Sequence, residues 1–341
     1  MDVLLVLRRK RNTDPHRVQA LVDQGLDVRV VPGWSHFATI VALRQLARQY
    51  HPDILVAHGF SEHLWGRYAG LLAKVPHLVH VEHNSRERYS GWQLWQAKWL
   101  AGRTDAIVGV SEGVRDALLQ RGFPADRCIA IPNGIELGRF DSADQSPWVK
   151  RSAGVIMASR FARQKDQGTL VKAIQLLKLQ DIHLPLAFAG LGKSRLMKRT
   201  LQQVRDAGLQ DQVQFMGHVQ GLHKTLMRYQ FFVLSTHYEG MPLALVEAMA
   251  AGCACVATDV VGVRGVIEDE INGLLVPEND APALAAALLR LIRNPEWAQR
   301  LGSNARRKAY ESYSLRKMHQ QYESLLLDLS RQNHIDQSIK D

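Results

Sequence analysis

Short apolar runs alternate with longer stretches of helical spacing along nearly the whole chain. The runs at residues 3–7, 28–31, 54–57, 77–81, 106–110 and 128–131 predict six strands in the first half. Residues 154–158, 186–189, 213–216, 231–234, 254–257 and 273–276 predict six more. Continuous rather than alternating apolar character fits strands covered on both faces, as in parallel sheets sandwiched by helices. The βαβα order predicts an α/β fold built from doubly wound sheets. Helix punctuation agrees. Ser111 suits an N-cap for a helix that ends near Gly122, Asp166 precedes a helix reaching about Leu179, and Pro242 opens one that stops at Gly252.

The least periodic stretch, residues 141–152, reads DSADQSPWVKRS and predicts a linker with six strands on either side. The expected division is an N-terminal Rossmann-like domain at 1–145, a C-terminal one at 146–325 and a polar tail at 326–341. A length of 341 residues, at ~150 per domain, also suggests two domains. Two such sheets face each other across a cleft, and ligands bind beyond the carboxyl ends of the strands.

Composition narrows the field. Apolar residues at 46% and charged residues at 22% exclude a disordered or collagen-like chain. The excess of 43 Lys and Arg over 33 Asp and Glu gives +10, which suits acidic partners: nucleic acid, an anionic membrane or a phosphorylated small molecule. Cys128, Cys253 and Cys255 lie in or beside apolar runs and read as buried strand residues in a reducing compartment. The start runs apolar first and basic second, the reverse of a signal peptide. No run approaches ~20 apolar residues. The expectation is a cytoplasmic protein, at most peripheral on the inner face of the cytoplasmic membrane.

Residues 235–252, STHYEGMPLALVEAMAAG, are the most informative segment. A strand ends, a turn follows and a helix starts near Pro242, so unpaired backbone N–H groups and the helix dipole make an anion site. Glu239 sits ahead of that site. Glu247 lies on an otherwise apolar helix, where a carboxylate is either a structural ion pair, a solvent-facing group or a ligand. Carboxylates accept well from sugar and ribose hydroxyls. An anion cradle between two of them describes a sugar-nucleotide site.

The Glu239/Glu247 pair within EGMPLALVEAMAAG resembles the signature of the retaining glycosyltransferases of family 4, which have the GT-B fold. Residues 159–166 (SRFARQKD), 132–135 (PNGI), 272–276 (NGLLV) and 304–306 (NAR) match that family in order, and the resemblance runs from about residue 16 to residue 326. It implies that Arg160 and Lys165 hold the donor diphosphate and stabilise the departing nucleoside diphosphate. It implies that Glu247 accepts from ribose hydroxyls and Glu239 from the transferred sugar, beside backbone groups of Gly240, Met241, Pro242 and Leu243. Gly190 and Gly192 would let backbone approach the donor, and His218 and Val219 would meet the nucleobase. In the first half, His83 matches a cleft histidine of the family that bonds to the sugar or assists proton movement. His58, Asn84 and Arg86 are further acceptor-side candidates, while His80 reads as core.

Two departures stand out. Residues 7–14, LRRKRNTD, occupy the place of the family's glycine-rich loop without a glycine, so either arginines take that role or the start is abbreviated. Gly265 stands where the family often has a glutamate. No metal or other cofactor is expected, since no Asp-x-Asp pair is present to hold a divalent cation and Arg160, Lys165 and the helix end would replace it.

Trp92, Trp95 and Trp99 fall on one helical face within RERYSGWQLWQAKWLAGR, flanked by Arg86, Arg88, Lys98 and Arg103. That stripe suits either packing on a sheet or a helix in an anionic membrane interface. Residues 1–103 carry 14 Lys and Arg against 8 Asp and Glu, so basic charge gathers on the expected acceptor side. The leading expectation is transfer of a sugar from a nucleotide-sugar donor to a saccharide or lipid-linked acceptor with retention, in envelope polysaccharide or lipopolysaccharide synthesis. A sugar-nucleotide epimerase or phosphorylase of the same fold is the alternative. A nucleic-acid-binding module is the competing class, suggested by charge alone, and nucleic acid is not the expected partner.

Overall fold

The computed structural model describes residues 2–10, 13–59, 62–84, 89–145 and 147–338. Its first half runs β1 (Leu4–Arg8), α1 (Pro15–Asp23), β2 (Asp27–Val31), α2 (His36–Tyr50), β3 (Ile54–His58), α3 (Glu62–Ala73), β4 (His77–Glu82), α4 (Gly91–Ala101), β5 (Ala106–Gly109), α5 (Glu112–Gln120) and β6 (Cys128–Ala130). The second half runs β7 (Ser152–Ala158), α6 (Gln167–Lys178), β8 (Leu186–Ala189), α7 (Ser194–Asp206), β9 (Val213–Gly217), α8 (Leu222–Leu226), β10 (Tyr229–Leu234), α9 (Leu243–Ala250), β11 (Ala254–Thr258) and β12 (Leu274–Val276). Helices α10 (Ala281–Arg293), α11 (Pro295–Ser312) and α12 (Leu315–Ser338) follow. Every predicted strand is present, within a residue or two at its ends.

All strand pairs are parallel. The first half forms β1-β2 and β3-β4-β5-β6, and the second half forms β12-β11-β10-β7-β8-β9. The fold is GT-B, two Rossmann-like units. In the second sheet the chain moves outward from β7 through β8 to β9, then returns to the other side of β7 for β10. The order therefore reverses between β7 and β10, which opens a crevice at their carboxyl ends.

The expected caps form. Ser111 Oγ accepts from Val114 N at 3.2 Å, and Asp166 Oδ1 accepts from Thr169 N at 3.1 Å. The three cysteines are free and buried. One apolar cluster runs from Val79, Val81 and Ile107 of the first half to Leu245, Val246 and Met249 of α9, so the halves share a core.

Two boundaries differ from expectation. The polar stretch near 141–152 holds 3-10 turns at Leu137–Gln145 and Trp148–Lys150, pinned because Phe140, Ala143 and Trp148 are buried. The tail expected from residue 326 is instead helix through Ser338. Tyr322, Leu325 and Leu326 pack on the shared core and Leu329 is buried, an apolar spacing hidden among polar neighbours. The start of α12 is tied to the first half, where Leu315 N donates to Ile135 O at 2.9 Å and Gly134 N meets Met318 Sδ at 3.3 Å.

Candidate active site

The loops after β7 and β10 meet at the reversal of strand order. Asp166 N donates to Ser235 O at 3.0 Å and His237 N to Gln164 O at 2.9 Å, so the two loops pair through their backbones. This pairing brings Lys165 against Glu239. The Lys165 ammonium forms an ion pair with Glu239 Oε1, and both side chains are largely buried, 14% and 7% exposed. Thr236 Oγ1 donates to the same carboxylate oxygen at 2.8 Å, and Gln164 Nε2 donates to the other at 3.2 Å. An ammonium has three N–H groups, so the pair leaves donors on Lys165 for a second anion. Arg160 is exposed at the mouth of the same loop, and its guanidinium has no partner among the described residues.

Gly190 and Gly192 are required for close packing. A Cβ on Gly190 would lie 2.2 Å from Ser159 O, and one on Gly192 would lie 2.3 Å from Phe161 O. The close approach shown is between the loop after β8 and the loop carrying Arg160. His218 is exposed just past β9, and Val219 is half-buried against the shared core.

Glu247 follows within the next helix. It is half-buried on α9 and lines a cavity of about 180 Å³ with Glu136, Arg139, Phe140, Gly221, Leu222 and His223. Burial pushes its carboxyl up from the ordinary range, and the nearby Arg139 charge opposes that rise. The segment holding His218 and Val219 leads directly into this cavity at Gly221.

The loop between β10 and α9 is also where the halves meet. A Cβ on Gly240 would lie 1.9 Å from His83 O, so only glycine allows this approach. Ser111 Oγ donates to Gly240 O at 2.7 Å, and Asn133 N meets Met241 Sδ at 3.0 Å. Pro242 is the N-cap of α9 and no side chain caps its first turn, while Leu243 is exposed there. Across this contact, His58 Nδ1 and His83 Nε2 lie 3.0 Å apart at the ends of β3 and β4. Surrounding protein disfavours a charge on either ring. The His58 pKa falls to about 4, by desolvation and then by the His83 charge, and His83 is lowered by desolvation. The pair is thus two neutral imidazoles sharing one hydrogen bond.

A model of the family described as glycosyl transferases group 1 matches residues 139–308, and one for glycosyltransferase family 4 matches residues 2–139. The chain belongs to the group 1, family 4 glycosyltransferases. Among its relatives is the Escherichia coli UDP-Gal:alpha-D-GlcNAc-diphosphoundecaprenol alpha-1,3-galactosyltransferase, 24% identical over 85% of this chain and 79% of that protein. Another is the Bacillus anthracis N-acetyl-alpha-D-glucosaminyl L-malate synthase, 30% identical over 67% of this chain and 61% of that protein. In fold, the chain is similar to Anabaena HepE, solved in complex with UDP, with a TM-score of 0.81 at 20% identity over 95% of this chain and 99% of that one.

Within this glycosyltransferase, the structure joins Lys165, Glu239 and Gly240 to His83 and His58. Glu239 precedes α9 and makes its contacts with Lys165, Thr236 and Gln164, whereas Glu247 lies within α9 and lines the cavity with Arg139 and His223. Thr236 and Gln164, which hold Glu239, were missed as site residues, although both lie beside the matched positions. Asn84 follows the histidine pair, and Arg86 and Arg88 lie outside the described residues. Gly265 adopts φ 83°, a conformation that would strain a glutamate there.

Behind His83 lies a buried polar cluster. One atom each from His63, His80 and Glu82 falls within 4.8 Å of the others, the only such grouping among the described residues. A dication fits it poorly, because Arg67, itself fully buried, places Nη2 2.6 Å from His63 Nδ1. Desolvation first and the Arg67 charge second drop the His63 pKa to about 2, which keeps the ring neutral.

On the outer side, Trp92, Trp95 and Trp99 are 66%, 55% and 39% exposed, while Gln96, Ala97, Leu100 and Ala101 form the buried face of α4. The stripe therefore does not pack on the sheet. Trp92 and Trp95 stack at 4.8 Å, and the Arg103 guanidinium lies 3.8 Å over Trp99. Among the described residues, no helix is long and apolar enough to cross a membrane.

Proposed function

We propose that the chain moves a sugar from a nucleotide-sugar donor to a saccharide or lipid-linked acceptor with retention of anomeric configuration. The observation that carries this is the buried Lys165–Glu239 pair at the reversal of strand order, with exposed Arg160 beside it. The remaining Lys165 donors and the Arg160 guanidinium take the diphosphate and stabilise its charge as it leaves. Glu239 accepts from hydroxyls of the sugar. Glu247, with its neighbours in the Arg139/His223 cavity, accepts from the ribose, and residues 218–219 border the base. These cations and the uncapped start of α9 supply the charge stabilisation, so no metal takes part. His83, facing Gly240, contacts the transferred sugar, and the departing diphosphate itself accepts the acceptor proton.

The setting proposed is polysaccharide assembly at an anionic membrane surface. The E. coli relative acts on a diphosphoundecaprenol-linked sugar, and a Salmonella relative is named for colanic acid biosynthesis. The exposed Trp92, Trp95 and Trp99, with Lys98 and Arg103, supply an apolar face edged by cations. Transfer assayed with candidate acceptors, followed by NMR of the anomeric proton in the product, tests the reaction. An inverted product contradicts retention, and loss of transfer in EDTA that is restored by a divalent metal contradicts the metal-free reading.

A further inference from the structure

The cluster behind His83 has a defined order of donors. Arg67 Nη2 can only donate, so His63 Nδ1 accepts at 2.6 Å. The neutral ring then carries its proton on Nε2, which lies 2.8 Å from Tyr89 Oη. Tyr89 Oη donates in turn to Glu82 Oε2 at 3.2 Å. The other carboxylate oxygen, Glu82 Oε1, accepts from Asn84 N at 3.2 Å. The chain thus runs from a buried guanidinium to a buried carboxylate, and each link orients the next.

Its supports are equally fixed. Arg67 Nη1 donates to Thr104 Oγ1 at 3.1 Å, and Arg67 Nε donates to His63 O at 3.2 Å. His80 stacks on His63 at 4.1 Å, and neither of its ring nitrogens has a hydrogen bond. His80 Nε2 lies 3.7 Å from Glu82 Oε2, beyond hydrogen-bond reach, so the stacked ring serves as a flat wall against the His63 ring. Arg67, His63, His80 and Glu82 are each no more than 1% exposed.

The far end of this chain meets the candidate active site. Glu82 ends β4, Asn84 N is held by its carboxylate, and His83 lies between them. The His83 carbonyl abuts Gly240, next to Glu239, and its ring meets His58. We propose that the Arg67–His63–Tyr89–Glu82 chain fixes the stretch Glu82 to Asn84 that carries His83, making Glu82 and Tyr89 positioning residues for glycosyl transfer. This rests on the reading of His83 as the cleft residue that contacts the transferred sugar. It assigns the cluster a task that packing alone does not require, since an apolar core of equal volume would fill the same space without holding a polar network.

Hydrogen exchange on the full-length protein tests the positioning step without any ligand. Tyr89→Phe removes one hydroxyl and little volume. It is expected to speed exchange at the Asn84 amide by about tenfold or more while amides of β3 and β5 keep their protection. Glu82→Gln is expected to do the same if it folds, and Tyr89→Phe decides the question if it does not. Unchanged Asn84 exchange in Tyr89→Phe overturns the proposal. Turnover is then read with the nucleotide sugar that the wild-type protein consumes. Tyr89→Phe should lower kcat by about tenfold or more with donor KM unchanged, and should add nothing further in the His83→Ala background. An equal loss on top of His83→Ala overturns the link to His83. Wild-type turnover by His83→Ala contradicts the reading of His83 itself, and is recognisable because the exchange result is independent of it.

Discussion

Lys165 and Glu239 are one buried ion pair to which the proposed chemistry adds a second role. Each is a nearly buried charge neutralised by the other, with Thr236 and Gln164 taking up further lone pairs of the carboxylate. Removing one partner strands the other in a poorly hydrated place. Lys165→Ala should therefore cost about 3 kcal/mol of stability, measured by urea unfolding. It should also lower kcat by about 10²–10³-fold, because a cation at the leaving diphosphate is lost. A variant with normal turnover and normal stability contradicts both roles. The histidines give a second prediction. His58 and His63 have folded pKa values of about 4 and about 2, and His80 lies well below the ordinary 6.5 because it is fully buried. All three are lowered, so below pH 6.5 the unfolded chain binds protons that the folded chain does not. Stability is then full above that pH and falls as the medium is acidified toward pH 4. Urea midpoints that stay level from about pH 7.5 to about pH 5 contradict this.

At the level of elements, close approach matters more than propensity. The carbonyls of His83 and Gly240 belong to different halves, yet the first stands where a Gly240 side chain would begin. Gly113 is under the same constraint, since its Cβ would lie 2.0 Å from Val261 O. Gly240→Ala should reduce kcat/KM by on the order of 10²-fold through displacement of the Glu239 loop, with a smaller effect on the melting temperature. Near-normal kcat/KM would show that the halves do not need this contact. Much of the fold was legible in advance because strands covered on both faces leave unbroken apolar runs, and Ser111 and Asp166 mark helix starts chemically. The site was legible only in part. A motif places Glu239 and Glu247 on one segment, but it does not tell that Glu239 is held by Lys165, Thr236 and Gln164 while Glu247 lines a cavity with Arg139 and His223. The histidine pair, the Arg67 cluster and the seating of α12 depend on contacts distant in sequence, which local periodicity does not encode. Helical spacing alone did not fix the face of α4, because Trp92, Trp95 and Trp99 share one side while Ala97, Leu100 and Ala101 share another, and only packing reveals which side is covered.

For the whole molecule, the two units share a core and meet at the loop that carries Glu239. Part of the basic excess lies on residues 1–103, which also carry the exposed tryptophans. Flotation with anionic liposomes should recover the wild-type protein, and Trp92→Ala with Trp95→Ala should abolish recovery without altering the fold. Equal absence of wild type from anionic and neutral liposomes contradicts the membrane face. The central claim is narrower: the second unit holds a nucleotide sugar through Glu247, Lys165 and Arg160. Thermal shift against a panel of nucleotide sugars tests it most directly, because a ligand at a hundredfold excess over Kd adds about 2.7 kcal/mol to the folded state. At least one nucleotide sugar should raise the melting temperature of wild type, and that rise should disappear in Glu247→Ala. No shift with any member of the panel, or a shift of equal size in Glu247→Ala, would contradict it.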